Sequence, residues 1–144
     1  MPHLVILYSG NLDALTDMTA LCRALADAML AIHDEAGRQV FPTGGTRVLA
    51  YPAPHFAVAD GGTAARAAGL GADCGFVYLN LRMGRGRSAV VHSSAGQALS
   101  AVAQAHFAPL LASAPVGVTL QIDEGPEVFD AKHSSLHPLF TPRT

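Results

Sequence analysis

Residues 3–8 read HLVILY and residues 76–81 read FVYLNL, two short apolar runs whose first residues lie 73 positions apart. A run this apolar, without alternation, suits a strand covered on both faces. Each is followed by a turn and then a helical pattern. After Ser9-Gly10-Asn11, the stretch Leu15 to His33 sets Met18, Leu21, Cys22, Leu25, Met29 and Ile32 at spacings of three and four, one face of an amphipathic helix. After the glycine-broken turn Met83 to Arg87, Ser88 is a candidate N-cap for a second helix with Ala95, Leu99, Val102, His106 and Leu110 on one stripe. Pro109 is expected to kink or end its last turn. The helical patterns start at 15 and 88, again 73 apart.

Two further extended segments complete the units. Arg47 to Val58 reads as short pieces broken by Pro52 and Pro54, after a loop from Gly37 to Thr46. Val116, Val118, Leu120 and Ile122 alternate with Gly117, Thr119, Gln121 and Asp123, a strand with one face buried. The chain therefore reads as two tandem β-α-β units. The expected fold is α/β, a four-stranded mixed sheet with two helices on one face, in a single domain spanning 1–144. The other face of that sheet is left uncovered, and apolar residues including Val116 to Ile122 are expected to need a partner there.

Composition removes several classes of function. Half of the 144 residues are hydrophobic and 14% are charged, enough for a real core but less charge than the about 25% of an ordinary globular chain. Nine Lys plus Arg against eleven Asp plus Glu give a net charge of −2, which offers no basic surface for nucleic acid. There is no apolar stretch near the ~20 residues of a membrane span and no secretory leader pattern, so a cytoplasmic protein is expected. Cys22 and Cys74 lack any metal-ligand spacing and read as small buried hydrophobes.

Most motif matches reduce to local structure. Gly84 to Ala89 formally fits the dinucleotide fingerprint G-x-G-x-x-A, but no Asp or Glu follows until Asp123 to hold a ribose. Arg85 and Arg87 at a helix start still suit an anion, carboxylate or phosphate, as well as they suit a solvated turn. His133 and His137 lie four apart in a Ser- and Pro-containing tail without the glutamate of a zinc helix, and no metal is expected. Ser93 and Ser94 beside His92 lack a nucleophile elbow. The start Met1-Pro2-His3 is different in kind. Removal of Met1, favoured by a small second residue, would leave Pro2 as a secondary amine at a strand end. In an apolar pocket near arginines such an amine loses basicity and becomes a general base at neutral pH.

The N-terminal PHLVILYS, the turn GRGRS, the paired β-α-β units and the tail SSLHPLF together resemble the 5-carboxymethyl-2-hydroxymuconate Δ-isomerase family of the tautomerase superfamily, over nearly the whole chain. The resemblance implies a cofactor-independent isomerase of aromatic-compound catabolism. Pro2 would be the base that moves a proton between carbons of an unsaturated keto-dicarboxylate. Arg87, in the GRS turn, and Arg47, in the extended segment after the first helix, would bind substrate. Together with the uncovered sheet face and the free edges of its short strands, it implies a homotrimer, with the tail from His133 to Phe140 packed on a neighbour. Two departures stand out: Leu49 lies where a family member carries a second arginine, and Thr63 to Asp73 reads as an insertion expected to cover or reshape a pocket. Two alternatives remain open on sequence, a tautomerase of another enolisable keto acid and a non-catalytic small-molecule-binding trimer of the same fold.

Overall fold

The computed structural model describes residues 2–141; the expected removal of Met1 concerns a residue outside these. Four strands form one sheet: β1 (His3–Ser9), β2 (Arg47–Ala53), β3 (Gly75–Gly84) and β4 (Val116–Gly125), in the order β2-β1-β3-β4. β1 and β2 are parallel, β3 and β4 are parallel, and the two pairs meet antiparallel across β1 and β3. The parallel pairs follow from their crossover helices, α1 (Met18–Leu30) and, after the short α2 (Thr63–Ala67), α3 (Ala89–Ser113).

The core lies between the sheet and α1 and α3. Leu4, Ile6 and Tyr8 of β1 and, at the same interval of 73, Val77, Leu79 and Leu81 of β3 point into it. Helix α1 buries Met18, Leu21, Leu25 and Met29 as its spacing predicts, and begins where Asp17 accepts a hydrogen bond from the Ala20 amide at 2.9 Å. Helix α3 begins at Ser88, whose Oγ accepts from the Val91 amide at 3.2 Å. It buries every fourth residue, Val91, Ala95, Leu99, Ala103 and Phe107. The expected stripe through Val102, His106 and Leu110 flanks that line instead. Pro109 does not end α3, which runs on to Ser113. Pro109 sits on the exposed side of the helix. Cys22 and Cys74 are half-buried rather than buried.

Two expectations change. Val116, Val118, Leu120 and Ile122 pack against the core, on the helix-covered side, so they supply no uncovered surface. The apolar part of the open face lies on the other strands, where Leu7 is 49%, Leu49 48%, Tyr51 51% and Phe76 38% exposed. Their neighbours on β3 and β4 are polar: Tyr78 donates to Gln121 at 2.8 Å and Asn80 to Asp123 at 2.7 Å.

The segment Thr63 to Asp73 lies at the end of the sheet opposite Pro2, because β2 ends at Ala53 beside Ser9, and Ser9 Oγ accepts from the Phe76 amide at 3.0 Å. Helix α2 and the Arg66–Asp73 ion pair of 2.9 Å make it a self-contained loop about 20 Å from Pro2 along β1, too far to shape a pocket there in the same chain. The tail also turns back on its own chain: the 3₁₀ turn His137–Phe140 packs on the turn Thr43–Gly45. A Cβ on Gly44 would lie 3.0 Å from His137 Nδ1 and 3.2 Å from Phe140 Cδ2, so a side chain there would press the two turns apart by a few tenths of an ångström.

Candidate active site

One end of the sheet gathers the starts of β1 and β2, the ends of β3 and β4, and the first turn of α3. Pro2 precedes β1 there and is buried. Arg47 opens β2, directly beside His3 in register. Arg87 follows β3 by three residues, and β3 runs antiparallel to β1, which returns it to the same end.

Arg87 is held by the backbone. Gly86, at φ +96°, lets the chain reverse between β3 and α3. The guanidinium then donates from Nη1 to the Gly84 carbonyl at 3.0 Å and from Nη2 to the Val40 carbonyl at 3.2 Å. It also lies 5.7 Å from the centre of the buried Phe41 ring, a cation–π distance. Beside it a cleft of about 390 Å³ is lined by Glu35, Arg38, Val40, Arg87 and Ser88. At the start of α3, Ser88 Oγ donates to Glu35 Oε1 at 2.6 Å, and this bond holds the Glu35 carboxyl below its ordinary pKa. The helix N-terminus expected to attract an anion thus has a carboxylate of this chain beside it.

Arg47 donates from Nη1 to the Gly45 carbonyl at 3.3 Å and lines a separate groove of about 570 Å³ between α1 and β2, with Cys22, Arg23, Leu30, Leu49 and Phe140. Pro2, Arg47 and Arg87 therefore share an end of the sheet, while in the single chain Arg47 and Arg87 line different cavities.

Two residues at this end were not singled out from sequence. On the open face, His3 stands in register with Arg47 of β2 on one side and Arg82 of β3 on the other. Burial holds the His3 imidazole below its ordinary pKa, and the Arg47 and Arg82 charges push it the same way. His3 and Arg82 line a cavity of about 240 Å³ with Glu127 and Asp130. At the same end, His92 Nε2 in the first turn of α3 lies 2.9 Å from Glu124 Oε1 on β4. The signal for Arg82 was present in the sequence: it is the one cation within the run from Phe76 to Met83, at a position whose parity sets it on the face opposite Val77, Leu79 and Leu81.

Comparison with known proteins gives a consistent picture. The family model for 5-carboxymethyl-2-hydroxymuconate isomerase matches residues 2–140. The 5-carboxymethyl-2-hydroxymuconate Delta-isomerase of Escherichia coli is 26% identical over 140 residues, 97% of this chain and 99% of that protein. A crystal structure of a 5-carboxymethyl-2-hydroxymuconate delta-isomerase is 64% identical with a TM-score of 0.95, covering 100% of this chain and 95% of that one. The structure of a 5-carboxymethyl-2-hydroxymuconate isomerase from Deinococcus radiodurans R1 is 30% identical with a TM-score of 0.80, covering 98% and 95%. With a match that spans the sheet, both long helices and the tail turn, the chain belongs to the 5-carboxymethyl-2-hydroxymuconate isomerase family.

Proposed function

We propose that this protein isomerises 5-carboxymethyl-2-hydroxymuconate, or its keto form, with Pro2 as general base and Arg47 and Arg87 as substrate-binding residues. The observation that carries this reading is the placement of a buried proline at the head of β1, with Arg47 on the adjacent strand and Arg87 in the turn that closes the same end. By its name the compound carries the two carboxylates of a muconate and a third on the carboxymethyl arm, one more than the keto-dicarboxylate expected from sequence.

The chemistry needs a base, a proton path and charge stabilisation. After loss of Met1 the Pro2 nitrogen has a lone pair. From the 2-hydroxy form it takes the enol O–H proton, and from the keto form a proton on the carbon next to the carbonyl, whose C–H electrons pass into that carbonyl; either way the same dienolate results. Return of the same proton to another carbon moves the double bond with no net change in atoms or electrons. Guanidinium groups hold the carboxylates and the developing oxyanion through charge-assisted hydrogen bonds. Burial and nearby cations lower the basicity of the amine toward neutral pH. The substrate carbonyl serves as electron sink, so the reaction calls on no cofactor.

The working unit in this reading is a cytoplasmic homotrimer. Among the described residues no helix is long and apolar enough to cross a membrane. Three chains with their open sheet faces turned inward would cover Leu7, Leu49, Tyr51 and Phe76 and pair the free edges of β2 and β4. The test of the mechanism is chemical. Intact mass of the untagged protein should show loss of Met1, and acetylation of the amine so freed should abolish turnover of 5-carboxymethyl-2-hydroxymuconate. Full activity after complete acetylation overturns it.

A further inference from the structure

We propose that Arg82, flanked by His3 and Glu127, is the contact for the third carboxylate of the substrate and so sets the preference for a tricarboxylate over a dicarboxylate. The inference rests on the proposed function and adds a residue to its site.

Four observations carry it. First, Arg82 lies in one row with His3 and Arg47 across three adjacent strands, which puts the two arginine Cα atoms about 10 Å apart with the head of β1 between them. Pro2 is the residue next to His3, so a substrate reacting at its nitrogen has a cation on either side. Second, Arg82 is not neutralised by its strand partner. Asp123 stands opposite it in register, but the Asp123 carboxylate accepts from Asn80, and among the described residues Arg82 has no ion pair or hydrogen bond. Third, the side chain has a built seat. It lies across the buried Gly125, where a Cβ would come within 2.6 Å of Arg82 Nε and 3.1 Å of Nη2. Any larger residue at 125 would lift the guanidinium out of that position. Fourth, the cavity of about 240 Å³ at this seat opens between Arg82 and His3.

The same seat explains the acidic residues around it. Asp130 is held by Lys132 Nζ at 2.5 Å. Glu127 Oε1 lies 3.1 Å from the Cβ position on Gly125, facing Arg82 over the glycine without forming an ion pair. Glu127 thus keeps a carboxylate beside the seat when no substrate is present, and an incoming carboxylate takes its place. Leu49 fits this arrangement. It stands in the next row, beside Val5, on the same face, so the cation missing at 49 is made up by one on the far side of β1. A charged row at the rim of the open face is also unsuited to a dry contact between subunits, because unpaired buried guanidinium groups are costly. It belongs at the wet mouth of a site.

The experiment is steady-state kinetics on the full chain with 5-carboxymethyl-2-hydroxymuconate, together with inhibition by two saturated compounds, 5-carboxymethyl-2-hydroxyadipate and 2-hydroxyadipate, which differ only by the carboxymethyl arm. In Arg82→Gln, KM and the inhibition constant of the tricarboxylate should rise about 10- to 100-fold, the size of one lost charged hydrogen-bond pair, with kcat nearly unchanged. Inhibition by 2-hydroxyadipate should change less than about threefold, Arg82→Lys should recover part of the loss, and Glu127→Gln should lower KM. Equal loss on both inhibitors, or no loss on either, overturns the assignment to Arg82. An unchanged or raised KM in Glu127→Gln overturns the role of Glu127. A native chain with no isomerase activity marks failure of the proposed function itself, a separate outcome from wild-type turnover with an indifferent Arg82.

Discussion

The guanidinium of Arg87 ties the turn before α3 to the loop before β2, with Nη2 donating to the carbonyl oxygen of Val40 at 3.2 Å while Nη1 donates to that of Gly84. Two charged hydrogen bonds to backbone carbonyls hold this corner, and the donors left over are aimed by the same tether.

Arg87→Ala should therefore show two losses. Stability should fall by roughly 1–3 kcal/mol as the carbonyls lose a charged donor. Transition-state stabilisation should fall by a further ~2–4 kcal/mol if the remaining donors meet the developing oxyanion. Urea midpoints measured alongside kcat/KM separate the two. A variant with native stability would remove the tether, and one with native kinetics would remove the substrate role.

Arg47 lines an open groove and donates to the Gly45 carbonyl, and in the proposed substrate-binding role its truncation should act on binding. Arg47→Ala is expected to raise KM about 10-fold or more with kcat changed little, as for a grip made equally in ground and transition states. A fall in kcat at constant KM would place Arg47 at the reacting centre instead.

Assembly should depend on the open face. Light scattering is expected to give a mass near three times 14.9 kDa. Leu7→Asp or Tyr51→Asp sets a carboxylate into the apolar patch on β1 and β2 and should shift the protein to monomer while leaving its helical circular dichroism intact. A native chain that is monomeric and fully active at micromolar concentration would rule out the ring of three.

Stability should fall on mild acidification. Thr16 Oγ1 and His106 Nε2 are 2.7 Å apart, joining the start of α1 to α3, and burial keeps the His106 imidazole below the ordinary value of 6.5, with Asp17 opposing weakly. The unfolded chain then takes up its proton first as pH drops, so the folded state loses ground from about pH 6.5 downward. His106→Gln should flatten the dependence of the urea midpoint on pH between 7.5 and 5.5, leaving the part due to His3. An unchanged slope would show that His106 is not the group responsible.

Much of this architecture was legible in the residues. The unalternating HLVILY predicts a strand apolar on both faces, and Leu7 does face away from the helices while Leu4 and Ile6 face them. Helix α1 follows from spacing and its cap. Periodicity could not say which side of the sheet the apolar face of β4 meets, because parity fixes which residues share a face and packing of α3 decides where that face turns. Of the two outcomes expected of Pro109, ending the helix is ruled out by the turn that follows it to Ser113, since a proline can also be accommodated by a local bend. At the candidate site, Pro2 was singled out by the Met1-Pro2 start, and Arg47 and Arg87 by the family resemblance. Arg82 stands out as the one cation of its run, but its meeting with His3, 79 positions away, emerges only from the antiparallel register. The backbone tether of Arg87 depends in the same way on a loop, around Val40, that no local pattern connects to the GRGRS turn.

The interval of 73 residues has a stoichiometric consequence. It carries Pro2 onto Gly75, at the head of the antiparallel counterpart strand and the opposite end of the sheet. A repeat can copy a strand, a turn and a helix, but a chain has a single α-amino group. At the copied position the nitrogen is a peptide amide that donates to the Pro115 carbonyl at 2.9 Å, and Leu12 closes over it so tightly that a Cβ on Gly75 would sit 2.6 Å from a leucine methyl. The two units therefore double the framework without doubling the base. In the proposed mechanism each chain works at one end only, and the other end carries the 63–73 loop and an apolar hollow of about 340 Å³ beside Phe56 and Phe76.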